Sequence, residues 1–248
     1  MTLAVDGARA RAVLLDIEGT TTPLEFVRDV LFPYARAHVE GYLQAQPQSP
    51  VVLGDLAALR REHTSDVSQG LSPPAWQGDS QLESATAYVH WLMDRDRKST
   101  TLKSIQGRIW QVGYRSGELQ GQVYPDVPPA FLRWAESQRK IGIFSSGSVL
   151  AQRLLFESTP NGDLTRFITG YFDTATGPKV KYESYALIAD LMSLHTSEAL
   201  FVSDTPAELE AAQGAGMQVL LCARSRKSQQ GNDDYSIVET FDPILPCR

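Results

Sequence analysis

The sequence predicts an α/β protein: a doubly wound parallel sheet with a block of helices inserted after its first strand. Three observations carry that expectation. Short, continuous apolar runs stop abruptly at polar residues, as strands buried on both faces do. Helical patterns separate those runs, which calls for right-handed βαβ units and helices on both sides of the sheet. Residues 24 to about 120 break the alternation and read as helices.

The first run is AVLLD, residues 12–16. The inserted block follows, with helical patterns at 24–46, 52–66 and 82–117 and the loop QGLSPPAWQGDS at 69–80. Residues 1–23 and 121–248 are therefore the sheet-bearing core, and 24–120 the insertion. The core resumes with the helix PPAFLRWAESQR, the strand run KIGIFSSG at 140–147 and the helix SVLAQRLLFEST. A helix YESYALIADLMSLH, a run EALFVSDTP at 198–206, a helix AELEAAQGAG and a run QVLLCAR at 218–224 complete it. RSRKSQQGNDDYSI reads as a polar surface loop.

The 248 residues are 42% hydrophobic and 21% charged, with a formal charge of −6 and no basic tract. Nucleic acid and anionic membranes are thus excluded as general partners. An anionic substrate would need local positive charge from a metal or a placed lysine. Of the two cysteines, Cys222 in VLLCAR reads as a buried strand residue rather than one half of a bridge to Cys247. The start lacks the shape of a signal peptide and no run reaches the ~20 apolar residues of a span, so a cytoplasmic protein is expected.

The strand ends carry the chemistry: Asp16 with Glu18, Ser145 with Ser146, and Asp204. Ligands of open α/β sheets bind at the carboxyl ends of strands, so the three ends point to one crevice. A strand-end Asp also serves as a turn or helix cap. Glu18 so near Asp16 argues for more, because two like charges repel unless a cation lies between them. Hard oxygen donors at strand ends suit Mg²⁺, which takes one or two carboxylates and keeps several waters. Where KIGIFSSG turns into a helix, hydroxyls and backbone N–H groups form an anion site, although Ser146 or Ser148 could simply cap that helix.

The order Asp16, Ser145, Lys179, Asp204 resembles the haloacid dehalogenase superfamily of phosphatases, with Glu18 where most members carry a second Asp. That departure narrows the resemblance. LLDIEGTTTPLEFVRDVLFPYA, DRDRKSTTLKSIQGRIW, IFSSGSVLAQRLLF, GYFDTATGPKVKYESY and FVSDTPAELEAA together are similar to the enolase-phosphatase E1 (acireductone synthase) family, over roughly residues 12–222.

The resemblance implies a bifunctional enzyme of methionine salvage. It would convert 2,3-diketo-5-methylthiopentyl-1-phosphate to acireductone and phosphate through enolisation and an aspartyl-phosphate step. It implies Asp16 as nucleophile, Glu18 as a second catalytic group, and Ser145, Ser146 and Lys179 on the phosphate. It implies one Mg²⁺ per subunit on Asp16, Glu18 and Asp204. It makes the insertion a cap over the active site, and the protein a monomer whose partner is a phosphorylated small molecule. Lys181 reads as a surface charge. Arg95, Arg97, Lys98 and Lys103 face either the active site or solvent, and the aromatics Phe26, Phe32, Tyr34, Tyr88, Trp91 and Trp110 read mostly as helix core. His38, His63, His90 and His195 lack zinc-ligand spacing. A capped phosphatase without enolase activity and a phosphoacceptor signalling module are the rival readings.

Overall fold

A computed structural model describes residues 8–224 and 234–246. Two compact units divide the chain: Met1–Val27 with Gln120–Arg248, and Arg28–Leu119. Cys247 and most of the 224–237 stretch lie outside the described residues.

Among the described residues, the first unit is built on six parallel strands. They are β1 (Ala12–Leu15), β2 (Lys140–Phe144), β3 (Gly170–Phe172), β4 (Ala199–Ser203), β5 (Gln218–Cys222) and β6 (Ile237–Val238), in the order β3-β2-β1-β4-β5-β6. β1 is central, with Leu14 opposite both Gly142 and Phe201. All four of its residues are buried, which is why AVLL shows no alternation. Two strands exceed the four expected: β3 is three residues on an edge and β6 is two, both too short for an apolar run to register. Ile237, expected in a loop, belongs to β6.

The helices are α1 (Leu24–Phe26), α2 (Phe32–Ala45), α3 (Pro50–Ser68), α4 (Gln81–Asp94), α5 (Thr100–Ser116), α6 (Val127–Glu136), α7 (Val149–Glu157), α8 (Tyr182–Leu191) and α9 (Pro206–Gly214). Tyr185 and Ile188 of α8 and Leu209 and Ala212 of α9 form one buried cluster with Leu14, Phe144 and Phe201. Such residues each contribute about 1.5–3 kcal/mol by leaving water. α8 stops at Leu191, short of the expected His195, and Ser193 turns at φ 55°.

The second unit holds α2 to α5. A π turn at Val27–Leu31 leads into α2, so the 24–46 pattern is not one uniform α-helix. The 82–117 pattern divides in two. Asp96 takes φ 46°, and Ser99 Oγ accepts from Leu102 N at 3.0 Å to cap α5. Buried Asp66 accepts from Arg97 at 2.7 Å and from the Tyr88 hydroxyl at 2.8 Å, so Arg97 serves that carboxylate. Buried Asp55 is held likewise by Arg108 and Tyr42. Phe32, expected in the core, is 40% exposed.

After β1 the chain folds into a compact loop. The amides of Thr20, Thr21 and Thr22 all donate to Ile17 O, and Gly19 N donates to Thr22 O at 2.9 Å. Gly19 sits at φ +74°, and a Cβ there would collide with the Asp204 carboxylate. Glycine is therefore required twice over, by conformation and by space. Gly19→Ala is expected to cost at least about 1–2 kcal/mol from the left-handed backbone alone. Urea unfolding checks this; an unchanged midpoint would contradict it.

Candidate active site

β1, β2 and β4 are neighbours, and the strand order reverses between β1 and β4. Asp16, Ser145 and Asp204 each follow one of these strands, at the switch point where ligands of such sheets bind. Asp16 is 5% exposed and its amide donates to Val202 O. Lys179 comes from the loop between β3 and α8. That loop is fixed by Ser184 Oγ donating to Pro178 O and by the Tyr185 hydroxyl donating to Lys179 O. Lys179 Nζ then donates to Asp16 Oδ1 at 2.5 Å and to Glu208 Oε2 at 2.6 Å.

Glu208, in the first turn of α9, is a site residue that the sequence reading missed. Its Oε2 also accepts from Ser203 Oγ at 2.9 Å. The available signal was its position four residues after Asp204 at the start of a helix, where an acidic residue otherwise reads as favouring the helix dipole.

One ammonium shared by two carboxylates, with Asp204 near, leaves excess negative charge. Burial pushes the Asp204 carboxyl above its ordinary range, and the Asp16 charge adds to this. Glu208 is raised to about 7, by burial first and then by Asp16, against the pull of Lys179. For Lys179, burial works against the ammonium, but Asp16 and Glu208 outweigh it and its pKa rises.

Glu18 is half-buried and pairs through its backbone with Thr22 in a bridge that closes the loop. Ser145 is 3% exposed; its Oγ accepts from Gly147 N at 3.1 Å and its amide donates to Phe172 O. The first bond closes its own turn and the second ties it to β3. Ser146 is exposed, and Ser148, not Ser146, caps α7 by accepting from Ala151 N. Asp173, just beyond β3, accepts from Val149 N at 3.2 Å and tightens the same helix start. Lys181 is exposed.

The sequence profile of the haloacid dehalogenase-like hydrolases matches residues 10–216. The chain is 49% identical over 232 residues to an enolase-phosphatase E1 of Synechococcus elongatus, covering 94% of this chain and 96% of the relative. It is 44% identical over 237 residues to an enolase-phosphatase E1 of Sorangium cellulosum, covering 96% and 98%. The crystal structure of the UTR4 protein of Saccharomyces cerevisiae superposes with a TM-score of 0.73 at 34% identity, covering 94% of this chain and 99% of that one. A phosphatase of the same superfamily from Thermococcus onnurineus shares the fold, at a TM-score of 0.56 and 19% identity. The chain thus belongs to the haloacid dehalogenase-like hydrolases and, within them, to the enolase-phosphatase E1 family.

Proposed function

We propose that this protein converts 2,3-diketo-5-methylthiopentyl-1-phosphate to acireductone and phosphate in methionine salvage, by enolisation and then phosphate hydrolysis. The observation that carries the reading is the buried Asp16 carboxylate, at the end of the central strand and gripped by Lys179. With Oδ1 held, Oδ2 attacks phosphorus to form the aspartyl-phosphate, and the bond from phosphorus to the substrate oxygen breaks, that oxygen leaving with the electron pair and taking up a proton. Water then attacks the aspartyl-phosphate, releasing phosphate and restoring the carboxylate. Lys179 holds a phosphate oxygen, and the Ser145 and Ser146 turn at the start of α7 receives the others. Glu18 is the second catalytic group, and the helical insertion, read as residues 24–120, acts as a cap that selects substrate and excludes water.

Among the described residues no group of three or more His, Cys, Asp or Glu side chains is gathered to hold a metal. The donor chemistry nonetheless fits one Mg²⁺. Asp204 and Asp16 lie close enough for one to raise the other, and two carboxylates with waters are what this ion takes. Asp16 and Asp204 would supply those two carboxylates and Glu18 a further contact, and when bound the ion would neutralise charge on the phosphate. Among the described residues no helix is long and apolar enough to cross a membrane. A cytoplasmic monomer acting on a small phosphate ester remains part of this proposal.

Asp16→Asn is expected to lower phosphate release at least about a thousandfold while circular dichroism stays native; appreciable turnover would overturn the nucleophile assignment. Lys179→Ala should cost about 100-fold or more in kcat/KM, and wild-type kinetics would remove that lysine from the phosphate. Glu208 adds a pH test in EDTA-treated protein. A carboxyl raised on folding stabilises the native state below its ordinary value of 4.5, and that contribution is lost as pH rises through about 7. The stability of wild type relative to Glu208→Gln should therefore fall across that window, by up to roughly 3 kcal/mol. Parallel urea-midpoint curves for the two proteins would contradict it.

A further inference from the structure

A second buried ion pair lies beside the loop that carries Asp16 and Glu18. Arg224, two residues past β5, is paired with Asp126, their side chains 9% and 10% exposed. Its Nη1 donates to both Asp126 oxygens, at 2.8 and 2.7 Å, while Nε and Nη2 both donate to Thr20 O, at 2.9 and 2.6 Å. The guanidinium carbon lies against two rings, 4.2 Å from the Tyr124 centroid and 4.5 Å from that of Phe241. Nη1 also reaches Glu239 O at 3.2 Å.

Asp126 stands at the N-cap of α6 yet makes no side-chain bond to that helix. Its carboxylate goes to Arg224 and to Phe241 N, at 2.6 Å. A residue type favoured as a cap is thus turned toward holding an arginine. The neighbouring Tyr124 N donates to Thr21 O at 3.0 Å, a second hold on the same loop. Burying an ion pair is a poor way to gain stability, because desolvation offsets the attraction. What this pair supplies is a fixed direction. The planar fork meets a carboxylate on one side and a carbonyl on the other, which a lysine cannot reproduce.

We propose that Arg224 is a positioning residue for catalysis. Oriented by Asp126, it holds the Thr20 carbonyl and so fixes the loop that places Asp16 and Glu18. The inference rests on the reading of Asp16 as nucleophile. Misplacement of a reacting group by a fraction of an ångström to one ångström lowers turnover steeply without touching the groups that bind substrate.

The test uses Arg224→Lys and Asp126→Asn in the full-length protein, with two readouts. Kinetics on the diketo phosphate should show kcat lowered by about tenfold to a hundredfold, with KM changed by less than about threefold. Hydrogen exchange should be faster in the peptide spanning residues 12–23 and unchanged in peptides from β4 and α8. Asp126→Asn keeps the arginine and carries the test if Arg224→Lys does not fold. The inference is overturned if a folded variant has wild-type kcat and wild-type exchange in 12–23. Either result alone also overturns it: unchanged activity per folded molecule is what a purely structural pair would give, and lowered kcat with unchanged exchange would mean that the loop is not what Arg224 holds. Turnover surviving in Asp16→Asn would instead overturn the nucleophile reading, while the exchange result would still report on the loop.

Discussion

The carboxyl edge of the sheet is organised by a charge imbalance. Lys179 is bonded to both Asp16 and Glu208, and Asp204 lies close enough to feel Asp16. One ammonium does not neutralise three carboxylates, and burial together with the Asp16 charge favours the protonated form of Glu208. Much of the surrounding structure keeps these groups in place. The Tyr185 hydroxyl fixes the Lys179 carbonyl, Ser203 fixes Glu208, and the missing Cβ of Gly19 leaves room for Asp204.

The scaffold explains why such an arrangement is sustained. β1 is flanked by β2 and β4, and its residues are wholly buried, so the residue that follows it has little freedom to move. Buried Phe144, Phe201 and Tyr185 pack behind the site with their rings in edge contact. Lys179 Nζ itself lies 5.9 Å from the Phe144 ring centroid. An apolar wall on one side raises the strength of every charge interaction on the other.

Much of this was legible in the sequence, for identifiable reasons. Buried parallel strands are continuous apolar runs, so AVLL, KIGIF and ALFVS stood out, and with them the polar residues that follow. What stayed hidden was short or ambiguous. GYF is a three-residue edge strand, and IV is two residues. Residues 82–117 look like one helix because the apolar spacing continues past Asp96, whose left-handed turn leaves no apolar signal. Glu208 and Asp126 were missed for the same physical reason. An acid at a helix start has a local explanation, and only the three-dimensional structure shows its carboxylate bonded elsewhere.

In the proposed function one site performs both enolisation and phosphate hydrolysis. The most direct measurement is an anaerobic assay with the diketo phosphate, with and without Mg²⁺, following free phosphate and the ultraviolet absorbance of the enediol together. Mg²⁺-dependent appearance of both signals is the predicted result. Phosphate released without the enediol chromophore would contradict the bifunctional reading and leave a plain phosphatase.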